Sequence, residues 1–226
     1  MLNLGIDNLW VVNLFGTEIW ITRTMLNTWI IMLVLIVLAV IVRIKLRSFR
    51  EIPTGFQNAV ESVIEIFENF VDNTLGEKLR YLGPWFFTVF AFILFSNLSG
   101  VFGLRPPTAD WGTTFAFALA TFILIQIVGI RYRKMDYLKN FFYPNPIFFP
   151  LNLIGELARP ISLSFRLFGN VLAGMIMMTL IYSLTPKLVQ IGLPVFLHAY
   201  FDLFSGALQT YIFCMLSLMF VKGASE

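Results

Sequence analysis

Two cations, Arg159 and Arg166, sit inside a stretch from Ile147 to Leu184 that is otherwise mostly apolar, in the local sequence ARPISLSFRLFGN. Helical spacing puts Arg159, Ser162, Arg166, Gly169, Asn170 and Ala173 on one face. A second apolar stretch, Leu188 to Val221, carries His198, Asp202, Ser205 or Gly206, and Gln209 along one stripe. If these stretches lie in a bilayer, a central arginine costs about 2.5–3.5 kcal/mol, and an ionisable group kept there points to function. A carboxylate, an imidazole and an amide at one-turn spacing can line a hydrated half-pore, passing a proton or coordinating a small cation. Bland roles compete with this one. Glu156 stands one turn before Arg159 and can pair with it, Asp202 can serve as a structural partner for Arg166, and His198 can sit at the membrane interface. The Glu156 pairing leaves Arg166 without a carboxylate on its own helix.

The bulk composition supplies the bilayer. The 226 residues are 58% hydrophobic and 13% charged, with a mean hydropathy of +0.80; soluble domains carry about 25% charged residues. A net charge of +3 does not suggest nucleic acid as a partner. The single cysteine, Cys214, excludes an intramolecular disulfide and a thiolate cluster, and the single histidine excludes a multi-histidine metal site. The opening residues MLNLGIDNLW lack the basic region of a cleaved signal peptide. No phosphate-binding glycine loop, metal-ligand spacing or nucleophile elbow is present, so no cofactor and no covalent chemistry are expected.

The elements that must position the charges follow from the apolar runs. Residues 25–42 form the first span, followed at once by Arg43, Lys45, Arg47 and Arg50, which mark the cytoplasmic side and put the N-terminus outside. Residues 1–24, with Trp10, Phe15 and Trp20, lie in the outer interface. Residues 53–78 form an amphipathic helix: Phe56, Val60, Val63, Ile64, Phe67, Phe70 and Val71 recur at helical spacing, opposite Glu61, Glu65, Glu68 and Asp72. It lies on the cytoplasmic surface, on a partner, or on its own protein. Residues 84–130 form a helical hairpin whose outer loop is RPPTAD and whose return ends on Arg131, Arg133 and Lys134. Of the 16 Lys and Arg residues, only Arg23, Arg105 and Lys187 fall outside, and only Arg159 and Arg166 fall within the membrane. The stretches 147–184 and 188–221 exceed the roughly 20 residues a perpendicular helix needs, so they tilt, break, or both, with Pro150, Pro160 and Pro194 as candidate bends. The expected fold is an all-α membrane protein, one polytopic unit of about five transmembrane helices plus one amphipathic surface helix, the last two helices long and strongly tilted.

The runs PISLSFRLFGN (160–170), NLSGVFGLRPPTAD (97–110) and GALQTYIF (206–213) resemble subunit a of bacterial F-type ATP synthases, and the resemblance covers essentially the whole chain. It implies an ion-translocating stator without a catalytic site of its own. Its partners would be a rotating ring of proteolipid c subunits, peripheral-stalk b subunits and the rest of the synthase, in a bacterial plasma membrane with the C-terminus cytoplasmic. Arg166 matches the family's essential arginine, Asn170 a polar position one turn on, and Gln209 the glutamine facing the arginine. Asp202 falls where relatives carry a histidine or glutamate in the outer half-channel. Met175 falls where relatives often carry the complementary glutamate or histidine, and His198 is the substitute at hand. Asn152 sits where relatives can carry a glutamate on the cytoplasmic side, and Glu156, one turn later, can take over that duty. The resemblance leaves proton or sodium ion open. A secondary transporter would show internal repeats, and 147–221 has no second copy; a structural anchor would have no reason to keep Arg166 and Asp202 in an apolar setting.

Overall fold

The computed structural model describes residues 8–14, 17–49, 53, 55–143, 145–184, 186 and 192–226. Parts of the 1–24 segment, Phe15 among them, and the first residues of the 188–221 stretch lie outside the described residues. The chain runs from a two-stranded antiparallel hairpin, β1 (Asn8–Leu14) and β2 (Thr17–Thr22), into α1 (Arg23–Lys45), α2 (Phe56–Leu75), α3 (Gly83–Leu98), α4 (Trp111–Arg133), the short α5 (Met135–Asn140) and α6 (Phe149–Leu184). It closes with α7 (Leu193–His198), a π-helical segment (Ala199–Ser205) and α8 (Gly206–Ser225). Five helical segments have the length and apolar composition to cross a bilayer: Arg23–Lys45, Glu77–Phe102, Trp111–Arg133, Pro146–Leu184 and Pro194–Ser225. This is a helical membrane protein, and the hairpin is an addition to the helical expectation.

Local sequence sets the boundaries. Thr22 caps α1, its hydroxyl accepting from the amide of Met25 at 3.3 Å, and Asp110 caps α4 by accepting from the amide of Gly112 at 3.0 Å. The basic ends of α1 and α4 complement the helix dipole. Helix α1 buries only Thr24, Asn27 and Ile31 and leaves most of its apolar side chains open, as a helix solvated by lipid would. Asn27 ties it to the RPPTAD loop by donating to the carbonyl of Arg105 at 2.8 Å.

The core forms where α3, α4 and α8 meet. One cluster joins Phe67, Val71 and Leu75 of α2 to Phe86, Ile125, Leu218 and Val221. A second joins Val89, Ile93 and Ala118 to Leu163 and Leu167 of α6 and to Phe213. Helix α2 therefore packs on its own protein, with its acidic face held by Arg80, which reaches Glu68 at 3.4 Å and Asp72 at 3.3 Å.

None of the three prolines breaks a helix. Pro150 falls in the first turn of α6, where a missing N–H costs nothing, and Pro194 opens α7. Pro160 is buried inside α6, yet the helix continues for 36 residues, about 54 Å at 1.5 Å per residue. The interruption lies instead in the proline-free π segment, whose widened turn carries Asp202. Extra residues of this kind are frequent at functional sites.

Candidate functional site

Helix α6 has two unlike faces. Leu163, Ser164, Leu167 and Gly174 are buried against the chain's own core, whereas Ser162, Arg166, Gly169 and Ala173 are exposed. A Cβ added at Gly169 would meet no atom within 4 Å. Of the small-and-polar stripe expected from the sequence, Arg159 and Asn170 are covered by other segments of the chain, whereas no other described helix covers Ser162, Arg166, Gly169 or Ala173. Arg166 has no hydrogen bond or ion pair among the described residues, so the structural pairing with Asp202 is not formed.

Arg159, two turns earlier, is the opposite case. Its Nη1 lies 3.0 Å from Oε1 of Glu156, and its guanidinium sits 5.1 Å from the ring centroid of Phe220. Glu156 also accepts from Nε2 of Gln126 at 3.2 Å, and Gln126 accepts from the hydroxyl of Tyr137 at 3.0 Å. Glu156, Arg159 and Tyr137 line a cavity of about 520 Å³ near the basic end of α4, together with Asn152 and Phe220. Asn152 is occupied otherwise: its amide donates to the carbonyls of Phe141 and Tyr143 at 3.0 and 3.1 Å, fastening the preceding loop to α6.

A second cavity, of about 530 Å³, opens at the other end of α6. It is lined by Asn170, Met175, Tyr182, His198 and Asp202, with Arg23 at the start of α1 and Arg105 from the loop before α4. Asp202 lies 2.6 Å from Nδ1 of His198, whose Nε2 is 3.2 Å from the hydroxyl of Tyr182. Gly100 makes room for the carboxylate, since a Cβ there would fall 3.0 Å from Cγ and Oδ1 of Asp202. Asn170 and Ser205 are bonded reciprocally, amide to hydroxyl at 3.0 Å and hydroxyl to amide oxygen at 3.1 Å, which ties α6 to the π segment. Behind them, Asn97 of α3 donates to the carbonyl of Gly206 and to Thr210 and accepts from Thr108.

Gln209 is buried, and its Nε2 has no hydrogen-bond partner among the described residues. An orphaned buried amide costs about 1–3 kcal/mol.

Apart from Gln209, which lines neither cavity, the expected residues divide into two clusters on either side of Arg166. Glu156 and Arg159 belong to one; Asn170, His198 and Asp202 belong to the other, with Met175 on its wall. The two cavities have no lining residue in common. Sequence reasoning missed Gln126, Tyr137, Tyr182, Asn97 and Gly100. Each acts through a contact between separate segments that no local pattern signals.

Comparison with known proteins identifies the family. The family model described as ATP synthase A chain matches residues 25–222, which includes both clusters and Arg166. ATP synthase subunit a of Moorella thermoacetica is 39% identical over 203 residues, covering 89% of each chain. That of Geobacter sulfurreducens is 36% identical over 204 residues, 88% of this chain and 86% of that one. The subunit a of Propionigenium modestum, described as sodium ion specific, is 34% identical over 223 residues, 90% of this chain and 74% of that one. With the match spanning all five apolar helices and the arginine between the two cavities, this chain belongs to the ATP synthase A chain family.

Proposed function

We propose that this chain is the ion-conducting stator of a rotary ATP synthase, in which the two cavities are offset half-channels and Arg166 is the barrier between them. The observation that carries the proposal is that one helix lines both cavities, Leu151 to Arg159 in one and Asn170 to Tyr182 in the other. Arg166 stands between these segments on a face left open by the rest of the chain.

The chemistry follows from electrostatics. A ring of small subunits, each bearing a carboxylate, passes along the open face of α6. Close to Arg166 a carboxylate is held ionised, because two opposite unit charges 4 Å apart attract by about 4 kcal/mol at an effective dielectric of 20. A free cation meets the same charge as repulsion, so it cannot leak from one cavity to the other. It crosses only by neutralising a ring carboxylate in one half-channel, riding round and leaving in the other. Asn170 and Gln209 flank the contact, and Asp202 with His198 forms the loading group of the outer half-channel, His198 standing in for the group absent at Met175. Glu156, held by Arg159, serves the cytoplasmic half-channel in place of Asn152. The ion is the proton, with sodium ion as the alternative. One charge moved through 100 mV is worth about 2.3 kcal/mol, so many transfers must be summed by rotation for each ATP made elsewhere in the complex.

The surroundings follow from the same reading. The chain sits in a bacterial plasma membrane with its N-terminus outside and its C-terminus cytoplasmic, against the proteolipid ring and the peripheral-stalk b subunits. The test is ATP-driven ion uptake into liposomes bearing the whole complex, wild type against Arg166→Ala. Uptake lost while the complex still assembles supports the barrier; undiminished coupled uptake refutes it.

A further inference from the structure

Glu156 has one oxygen committed and one not. Oε1 accepts from Arg159 at 3.0 Å and from Gln126 at 3.2 Å, which fills the two lone pairs a carboxylate oxygen offers in its plane. Among the described residues no donor bonds Oε2. The Gln126 amide is itself fixed. Its oxygen accepts from the Tyr137 hydroxyl at 3.0 Å, so its NH2 is the end turned to the carboxylate. Tyr137 in turn is seated in a notch made by a glycine: a Cβ at Gly129 would fall 2.5 Å from Cε2 of the ring, closer than any real contact. The ring is 7% exposed and belongs to α5, so the notch fastens the short helix after α4 to the wall of the cavity. Gln126 and Tyr137 come from segments apart from α6, and the proposed function uses neither.

We propose that Gln126 and Tyr137 are positioning residues for proton transfer, holding Glu156 so that Oε2 is the atom that takes up and gives off the proton in this cavity. The inference rests on the half-channel reading above. A proton arriving through cavity water forms an O–H bond at Oε2, which breaks again when the proton passes to solvent. Glu156 then returns to a carboxylate whose charge is balanced by Arg159. Throughout, Oε1 stays bonded to Gln126 and Arg159, so the group does not turn between the two states. A carboxylate free to rotate would lose time to reorientation, and a misplacement of about 1 Å can cost on the order of a hundredfold in rate.

The experiment is ATP-driven proton uptake by the whole complex in liposomes, in H2O and in D2O. Wild type is compared with Tyr137→Phe, Gln126→Leu, the double variant and Arg166→Ala. Tyr137→Phe keeps the ring in the Gly129 notch and removes only the hydroxyl, so a merely packing role predicts no change. The proposal predicts that each single variant slows uptake about three- to tenfold and raises the solvent isotope effect, with the double variant no slower than the worse single. Wild-type rates and isotope effects in both single variants would overturn it, as would multiplicative losses in the double or sodium-dependent uptake without an isotope effect. Arg166→Ala separates the two levels: if it abolishes uptake while Tyr137→Phe and Gln126→Leu are silent, only the positioning role fails. If it transports normally, the half-channel reading itself fails.

Discussion

Gly169 separates the stability of this chain from its work. The residue lies three positions after Arg166 on the open face of α6, and a side chain added there would meet nothing within 4 Å in the chain itself. Replacing a mid-helix glycine by alanine gains about 1 kcal/mol of helix stability, and leucine is nearly as good. Gly169→Leu is therefore expected to leave the subunit as stable as wild type or slightly more so. The cost appears only if a partner must slide past. Forcing extra methylenes into a packed contact costs about 1–3 kcal/mol, and at about 1.36 kcal/mol per tenfold this slows passage roughly five- to 150-fold. Gly174 is the control: a Cβ there would stand 3.4 Å from Cβ of Phe201, so Gly174→Leu drives into the π segment and is expected to impair assembly itself. The measurements are thermal unfolding of the purified complex and ATP-driven uptake by the same preparations. Gly169→Leu with normal unfolding and normal uptake would refute the idea that this face carries moving contacts.

Two further expectations follow from side-chain surroundings. Gly100→Ala puts a methyl 3.0 Å from the Asp202 carboxylate, which is held on its other side by His198 at 2.6 Å. The carboxylate must yield by a few tenths of an ångström, so uptake is expected to fall about tenfold while assembly is kept, and an unchanged rate would argue that Asp202 is not a loading group. The Tyr137 phenol, in α5 between the spans, is raised above its ordinary value of 10.0 first by burial and then by the negative Glu156. Because the unfolded chain ionises first, the stability this group contributes is complete below pH 10 and is lost as pH rises through the higher folded value. An ultraviolet titration of the complex, wild type minus Tyr137→Phe, is expected to show this tyrosine ionising after the exposed ones; ionisation at or below pH 10 would contradict its burial.

The spans were legible because their signal is local. A run such as Trp29 to Val42 has one physical solution in a bilayer, and the basic clusters after it and after Ile130 fix where it ends. Arg166 and the Glu156–Arg159 pair were legible for a similar reason, since one-turn spacing and an apolar neighbourhood are properties of the sequence itself. The π segment was not. His198, Asp202 and Gln209 look like one α-helical stripe, but the backbone widens between Ala199 and Ser205, where Asp202 meets Gly100 and Ser205 meets Asn170 from two other helices. Those partners are 102 and 35 positions away in the chain, and no periodicity encodes them. Tyr137 was hidden likewise. Its value to the site depends on a glycine eight residues earlier that reads, in sequence, only as a weak point in α4.

The contrast between the two arginines of α6 bears most directly on what the chain is for. They lie seven residues apart, two turns, on nearly the same face, and a guanidinium at either place is costly to keep in a bilayer. Arg159 recovers that cost within the chain, from the Glu156 carboxylate at 3.0 Å and the face of Phe220 at 5.1 Å. Arg166 recovers nothing from the described residues, although a single acidic side chain on a neighbouring helix would have sufficed. Supplying one would stabilise the subunit and spoil it, because a permanently paired arginine has no attraction left for a carboxylate that comes and goes. On the function proposed above, the charge that the described residues leave uncompensated is met by a replaceable partner on another molecule, which reaches α6 along the strip where Ser162, Gly169 and Ala173 are exposed.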